Sequence, residues 1–297
     1  MACSQRKRLA PPEKLRLASI RSEPSDRPRH WANRLDEVEA PRWRAADLYV
    51  GDHWHSACQA YRVAKRYSSR TELWVVSAGY GLIPSSKTIK PYGATFATGA
   101  ADSVWRGPAE GDRRGGLRLW WRALGHESAL IDLLPARGDG AVVVAAGASY
   151  LAAIESDLEG ALQHSAALDR LSVISAGTQG NGALLPVSGQ FRAAVGGTDS
   201  ALNARLLALL ASEAGTHGFR RSAMAAMLTQ MASRLPATPR RAGRATSDEQ
   251  IVREIQAMRR RLPEIGRTRA LRELRSRGIA CEQARFASIW NRAEPGP

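Results

Sequence analysis

Three short apolar runs stand out along the chain: ELWVVSA (72–78), GAVVVAAG (140–147) and LSVISAG (171–177). Each is rich in β-branched residues and ends in small ones. A continuous run of this kind with a glycine stop predicts a strand buried on both faces, as in a parallel sheet. Between the second and third lies ASYLAAIESDLEGALQ (148–163), whose spacing predicts a helix. Strand, helix and strand in that order imply a parallel sheet covered by helices. Helical spacing recurs over 53–67, with Ala57, Tyr61 and Ala64 on one face, and over 119–134 through Trp120, Leu124, Leu130 and Leu134. A short helix is expected near 31–39, and GQFRAAVGGT (189–198) reads as a short strand ending in a turn. Thr198 or Asp199 then caps an amphipathic helix that Gly215 stops, and a further helix covers 219–234. Residues 80–118 hold Gly, Pro, Thr and Ser in quantity and read as a long loop with a strand fragment, which inside a compact domain points to function.

The words VVSAG (75–79) and VISAG (173–177) are nearly the same and fall where strands stop. Ligands of open parallel sheets bind beyond the carboxyl ends of the strands. Small residues there let backbone approach a ligand, so the two copies are expected to form two walls of one crevice.

Charge divides the chain. Residues 1–45 carry 11 Lys and Arg against 6 Asp and Glu, residues 46–233 carry 17 against 15, and residues 234–292 carry 15, all Arg, against 6. A nearly neutral body therefore has basic ends, which makes nucleic acid the expected partner. RLPATPRRAGRATS (234–247) reads as a linker, so the expected organisation is an α/β domain over 1–233, a linker over 234–246 and a basic helical domain over 247–297. In the last, TSDEQIVREIQAMRRRLP starts acidic and ends basic, matching the helix dipole. Two more short helices follow, and the three suggest a helix-turn-helix-like unit. Arg267, Thr268 and Arg269 open its second helix, where phosphate contacts are made. No apolar run reaches the length of a membrane span, and MACSQRKRLAPPEK lacks the apolar core of a signal peptide. A soluble, cytoplasmic protein without an obligate protein partner is expected. Cys3, Cys58 and Cys281 are few and far apart, giving no disulfide or zinc framework. On a helix the spacing of His53, His55 and Cys58 does not converge on one metal, and AAGASYLAA has a lone glycine, so neither a metal nor a cofactor is expected.

ACSQRK (2–7), AADLYVG (45–51) and VVSAGYGLIPSSKTIKPY (75–92) together resemble the signature of a bacterial and phage domain family, related to a domain of archaeosine synthases. That family resembles the uracil-DNA glycosylase superfamily. The resemblance implies a three-layer α/β/α fold with a central, mostly parallel sheet. The motifs cover about residues 1–92, and for 140–215 the likeness is one of layout. The pattern departs in three places. Almost nothing precedes CSQRK, Gly93 follows Pro-Tyr where an Asp is expected, and TQGNG lacks the histidine of uracil glycosylases.

What the resemblance implies is base excision. Breaking an N-glycosidic bond passes through an oxocarbenium-like sugar, which needs a carboxylate near C1′. It also needs donors to the leaving base and a pocket for a flipped nucleotide. Asp47, in the matching ADLY, is the first candidate carboxylate, and Asp102 in the long loop is the second. Lys7 and Ser4 are candidate donors to base or phosphate. Cys3 and Tyr49 lie in the same motifs, Tyr80 and Tyr92 are candidates for stacking, and Ser77 and Ser175 for bonding base edges. Gln179 and Asn181 occupy the loop that would meet DNA. Likeness to bacterial anti-phage glycosylases extends the expectation to double-stranded phage DNA bearing glucosylated hydroxymethylcytosine. Two alternatives stay open: a non-enzymatic DNA-binding regulator with a nucleotide-sensing α/β domain, and a base-exchanging or RNA-modifying enzyme.

Overall fold

The computed structural model describes residues 1–3, 6–107, 111–125, 130–134, 140–164, 169–176, 182–187, 190–198, 201–214, 218–236 and 244–293. The chain is a mixed α/β protein in two compact units, 1–236 and 237–297, each with its own apolar core. Among the described residues no helix is long and apolar enough to cross a membrane.

In the first unit, two turns of 3-10 helix precede α1 (Arg27–Glu37). There follow β1 (Trp43–Arg44), α2 (Ala45–Leu48), α3 (Asp52–Tyr67), β2 (Trp74–Ser77), β3 (Gly81–Pro84) and β4 (Thr88–Ile89). Next come α4 (Arg113–Ala123), β5 (Val142–Ala145), α5 (Ala148–Ala153), α6 (Glu155–Leu162) and β6 (Leu171–Ile174). The unit closes with α7 (Phe191–Val195), α8 (Leu202–Ala214) and α9 (Arg221–Arg234). β5 and β6 pair in parallel, Val142 opposite Leu171 through Ala145 opposite Ile174. β2 and β3 pair antiparallel, Trp74 opposite Pro84 through Ser77 opposite Gly81.

The first three residues join these pairs. Ala2 bridges Val76 in parallel, with Val76 N–H donating to Met1 O (2.7 Å) and Cys3 N–H to Val76 O (3.0 Å). On the other side Ala2 N–H donates to Ala145 O at 3.2 Å. Leu184 bridges Val173 in parallel. The order across is therefore β3, β2, residues 1–3, β5, β6, residues 183–185. Val75, Ile83, Leu171 and Ile174 are fully buried, as β-branched and apolar runs covered on both faces require. α3 packs on α8, and α4 on α5 and α1.

Three expectations are corrected, and the bounds of a fourth are moved. VVSAG (75–79) does not open a long loop: Ala78–Tyr80 is a three-residue turn between β2 and β3, and Gly81 takes the positive φ (73°) that closes it. The helix expected over 119–134 is α4, starting at Arg113 because the Asp112 side chain accepts from Gly115 N–H, and it ends at Ala123. The strand expected in 189–198 is the one-turn α7, whose Phe191 is buried and whose end falls at Gly196 with φ 62°. The short helix expected near 31–39 lies at 27–37.

The second unit holds β7 (Arg244–Ala245), α10 (Asp248–Arg261), α11 (Arg267–Ser276), β8 (Ile279–Ala280) and α12 (Gln283–Arg292). β7 and β8 pair in parallel. Ser247 caps α10 by accepting from Gln250 N–H, with Asp248 and Glu249 in the first turn and Arg259–Arg261 in the last.

Candidate active site

Two hydroxyl chains meet at the carboxyl edge of this sheet. In the first, Ser77 Oγ accepts from the N–H groups of Gly79 (3.2 Å) and Tyr80 (3.0 Å), which uses both its lone pairs. Its own proton therefore goes to Tyr92 Oη at 2.7 Å, and the Tyr92 and Tyr49 hydroxyls share a hydrogen bond of 2.9 Å. In the second, Tyr150 Oη lies 3.2 Å from Cys3 Sγ and 3.4 Å from Thr95 Oγ1. Burial raises the pKa of Tyr49, Tyr92 and Tyr150, so all three are neutral phenols near pH 7. Tyr80 stands edge-on to Tyr92 (5.1 Å between centroids), and burial pushes its phenol up to about 12.

Lys7 covers these rings. Its backbone bridges Tyr49, and its Nζ lies 4.1 Å from the centroid of Tyr92 and 5.7 Å from that of Tyr49. Burial lowers the pKa of Lys7, against the opposing pull of Cys3 and Asp102.

The two candidate carboxylates have different settings. Asp47 turns outward: its Oδ2 accepts from Arg44 Nε at 2.7 Å, and its side chain is 44% exposed. Asp102 is 15% exposed and fixed from two sides, by Arg16 Nη2 (2.8 Å to Oδ2) and Ala18 N–H (3.0 Å to Oδ1). Residues 95–104 double back through the bridge between Thr95 and Ser103, which lays the Asp102 carboxylate on Gly93. A Cβ at residue 93 would stand 2.6 Å from Asp102 Oδ2. The carboxylate thus fills the space from which a side chain at 93 would project.

Ser175 is buried just beyond β6. Asn203 of α8 clips that strand end, donating to Ala146 O and accepting from Ala176 N–H, both at 2.8 Å. β2 and β6 are separated by residues 1–3 and β5, so the two Ser-Ala ends lie about 14 Å apart at about 4.8 Å per strand. They border one edge without facing each other, and the cluster is built around the first. Ser4, Gln179 and Asn181 lie outside the described residues. Arg267, Thr268 and Arg269 are exposed at the start of α11 in the second unit.

Sequence reasoning did not find Tyr150, Thr95, Arg16 or Asn203. Tyr150 had a signal, since it follows a strand by five residues at the ligand-binding edge. The others are brought in by contacts remote in sequence. A groove of about 420 Å³ lies along α9, lined by Glu213, Met227, Gln230 and Met231, and shares no residue with the cluster. The groove brings Glu213 and Arg234 together, whereas the cluster gathers several buried phenols, an amine and a carboxylate. Lys7 and Asp102 are partly exposed, whereas Tyr49, Tyr92 and Tyr150 are buried.

Chemically, this edge offers buried neutral hydroxyls to donate hydrogen bonds, with one fixed carboxylate and one amine, both partly exposed, beside them. Compared with protein-family models, curated proteins and solved structures, the chain gives no match.

Proposed function

We propose that this protein is a DNA glycosylase that excises a modified base from double-stranded DNA and leaves an abasic site. The fixed Asp102 carboxylate beside the phenol chain carries this reading. It supplies the negative charge that a developing oxocarbenium requires, while Lys7 and the hydroxyls can donate to the leaving base. The strand order across the edge, with residues 1–3 between β2 and β5, supports a uracil-glycosylase-like sheet. In that reading, α3 with α8 and α1 with α4 and α5 are the two helical layers. The motif resemblance points to glucosylated hydroxymethylcytosine of phage DNA as the base, and hence to anti-phage defence. Asp102 replaces Asp47 as the preferred catalytic carboxylate: each pairs with an arginine, but Asp47 is 44% exposed at the surface and Asp102 only 15% exposed against Gly93.

The test is to incubate the protein with unmodified DNA and with DNA from a phage carrying glucosylated bases, then to cleave abasic sites with alkali. Strand breaks are expected only in the modified DNA. Asp102→Asn should lower the rate by about 100-fold or more, and Asp47→Asn should leave it within a few-fold. Breaks in neither DNA would sink the proposal.

A further inference from the structure

The chain contains 5 lysines against 38 arginines, and no lysine after residue 90. Where almost every cation is a guanidinium, the position of an amine has chemical meaning, because a guanidinium does not condense with an aldehyde and an amine does. Lys90 is buried, its Nζ donating to Leu35 O (2.6 Å) and Asp36 O (3.2 Å) at the end of α1. Lys65 bonds Tyr61 on the outer face of α3. Lys7 alone of the five sits over the phenol cluster, with its Nζ on the face of Tyr92.

We propose that Lys7 gives the protein a second activity, cutting the DNA strand at the abasic site by way of an imine. This rests on the glycosylase reading, which supplies the abasic sugar. In its ring-opened form that sugar bears an aldehyde at C1′. The unprotonated Nζ adds to C1′, and the carbinolamine takes up one proton from solvent and loses water, leaving an iminium with an Nζ–C1′ double bond. A proton then leaves C2′ to a base, for which Asp102 is the carboxylate at hand. The C3′–O bond breaks, and its electron pair departs with the 3′-phosphate. Water hydrolyses the imine, which restores Lys7 and leaves an unsaturated aldehyde on the cut strand. No oxidant or reductant is consumed. Burial of Nζ favours the uncharged amine that the first step needs.

The experiment gives the full-length protein a duplex carrying a ready-made abasic site, with borohydride to reduce any imine to a stable amine. A covalent protein–DNA adduct is expected, mapping by mass spectrometry to the peptide that contains Lys7. Lys7→Arg keeps the cation on the rings and should lose the adduct by about 100-fold while still binding the duplex. A wild-type protein that binds this duplex without forming an adduct overturns the inference, and so does an adduct mapping to another amine. The two readings separate cleanly because the abasic site is supplied. Excision without trapping refutes only the lyase step, whereas trapping without excision supports Lys7 chemistry and sinks the glycosylase.

Discussion

A Cβ added at Gly93 would lie 2.9 Å from Asp102 Cγ as well as 2.6 Å from Oδ2. Backbone is not the obstacle, because Gly93 is outside the positive-φ set. Gly93→Ala should therefore push the carboxylate off its bonds with Arg16 and Ala18, lowering excision by about 10-fold or more. Overpacking of this kind costs about 1–3 kcal/mol, which thermal unfolding would register. Wild-type activity in Gly93→Ala would detach Asp102 from the chemistry. Lys7 makes a second prediction through its pKa, which lies below the ordinary 10.5. Between the two values the unfolded chain binds more protons than the folded one, so the contribution of Lys7 to stability rises with pH across that window. The stability difference between wild type and Lys7→Met should then shift toward wild type as pH is raised toward 10.5. Urea titrations at several pH values check this, and a flat difference refutes it.

Strands β2, β5 and β6 follow from their β-branched runs, because what makes them strands is written in consecutive residues. The turn after β2 does not follow in that way. It is held by side chains from elsewhere: the indole N–H of Trp31 donates to Gly79 O and that of Trp120 to Ala78 O, both at 2.8 Å. VVSAG therefore reads as a strand stop but works as a hairpin corner, locked by two buried indoles. The corresponding lock at the other strand end is Asn203, on the buried side of a helix that reads as amphipathic. Asn203→Leu leaves Ala146 O and Ala176 N–H without these partners, so a loss of about 1–3 kcal/mol is expected in denaturant unfolding. An unchanged midpoint would show that other groups satisfy both.

The two units have separate apolar cores, one around the sheet and one formed by Ile251, Ile255, Leu274, Phe286 and Ile289. Arginines of the second unit fall into two sets. Arg285 and Arg292 pair with Asp248, Arg277 pairs with Glu254 and Glu273, and Arg259 stacks on Trp290 at 4.0 Å. Arg260, Arg261, Arg267, Arg269 and Arg272 are exposed and make no ion pair with another described residue. The second set surrounds the turn between α10 and α11, where a phosphate backbone would be met. Removing 237–297 should leave a cooperatively folding α/β body whose DNA affinity falls and whose log–log salt slope flattens by about 4–5 if each of these arginines neutralises a phosphate. An unchanged slope in a filter-binding titration would exclude the unit from DNA contact. The sequence by itself determined β2, β5 and β6, the neutral body and the arginine-rich end, since periodicity and charge density are local properties of the chain. It did not determine which carboxylate belongs to the site, or that Tyr150 meets Cys3 across 147 positions. Those follow from strand order and from a loop folding back onto Gly93, and such convergence is fixed by packing between segments that carry no mark of one another.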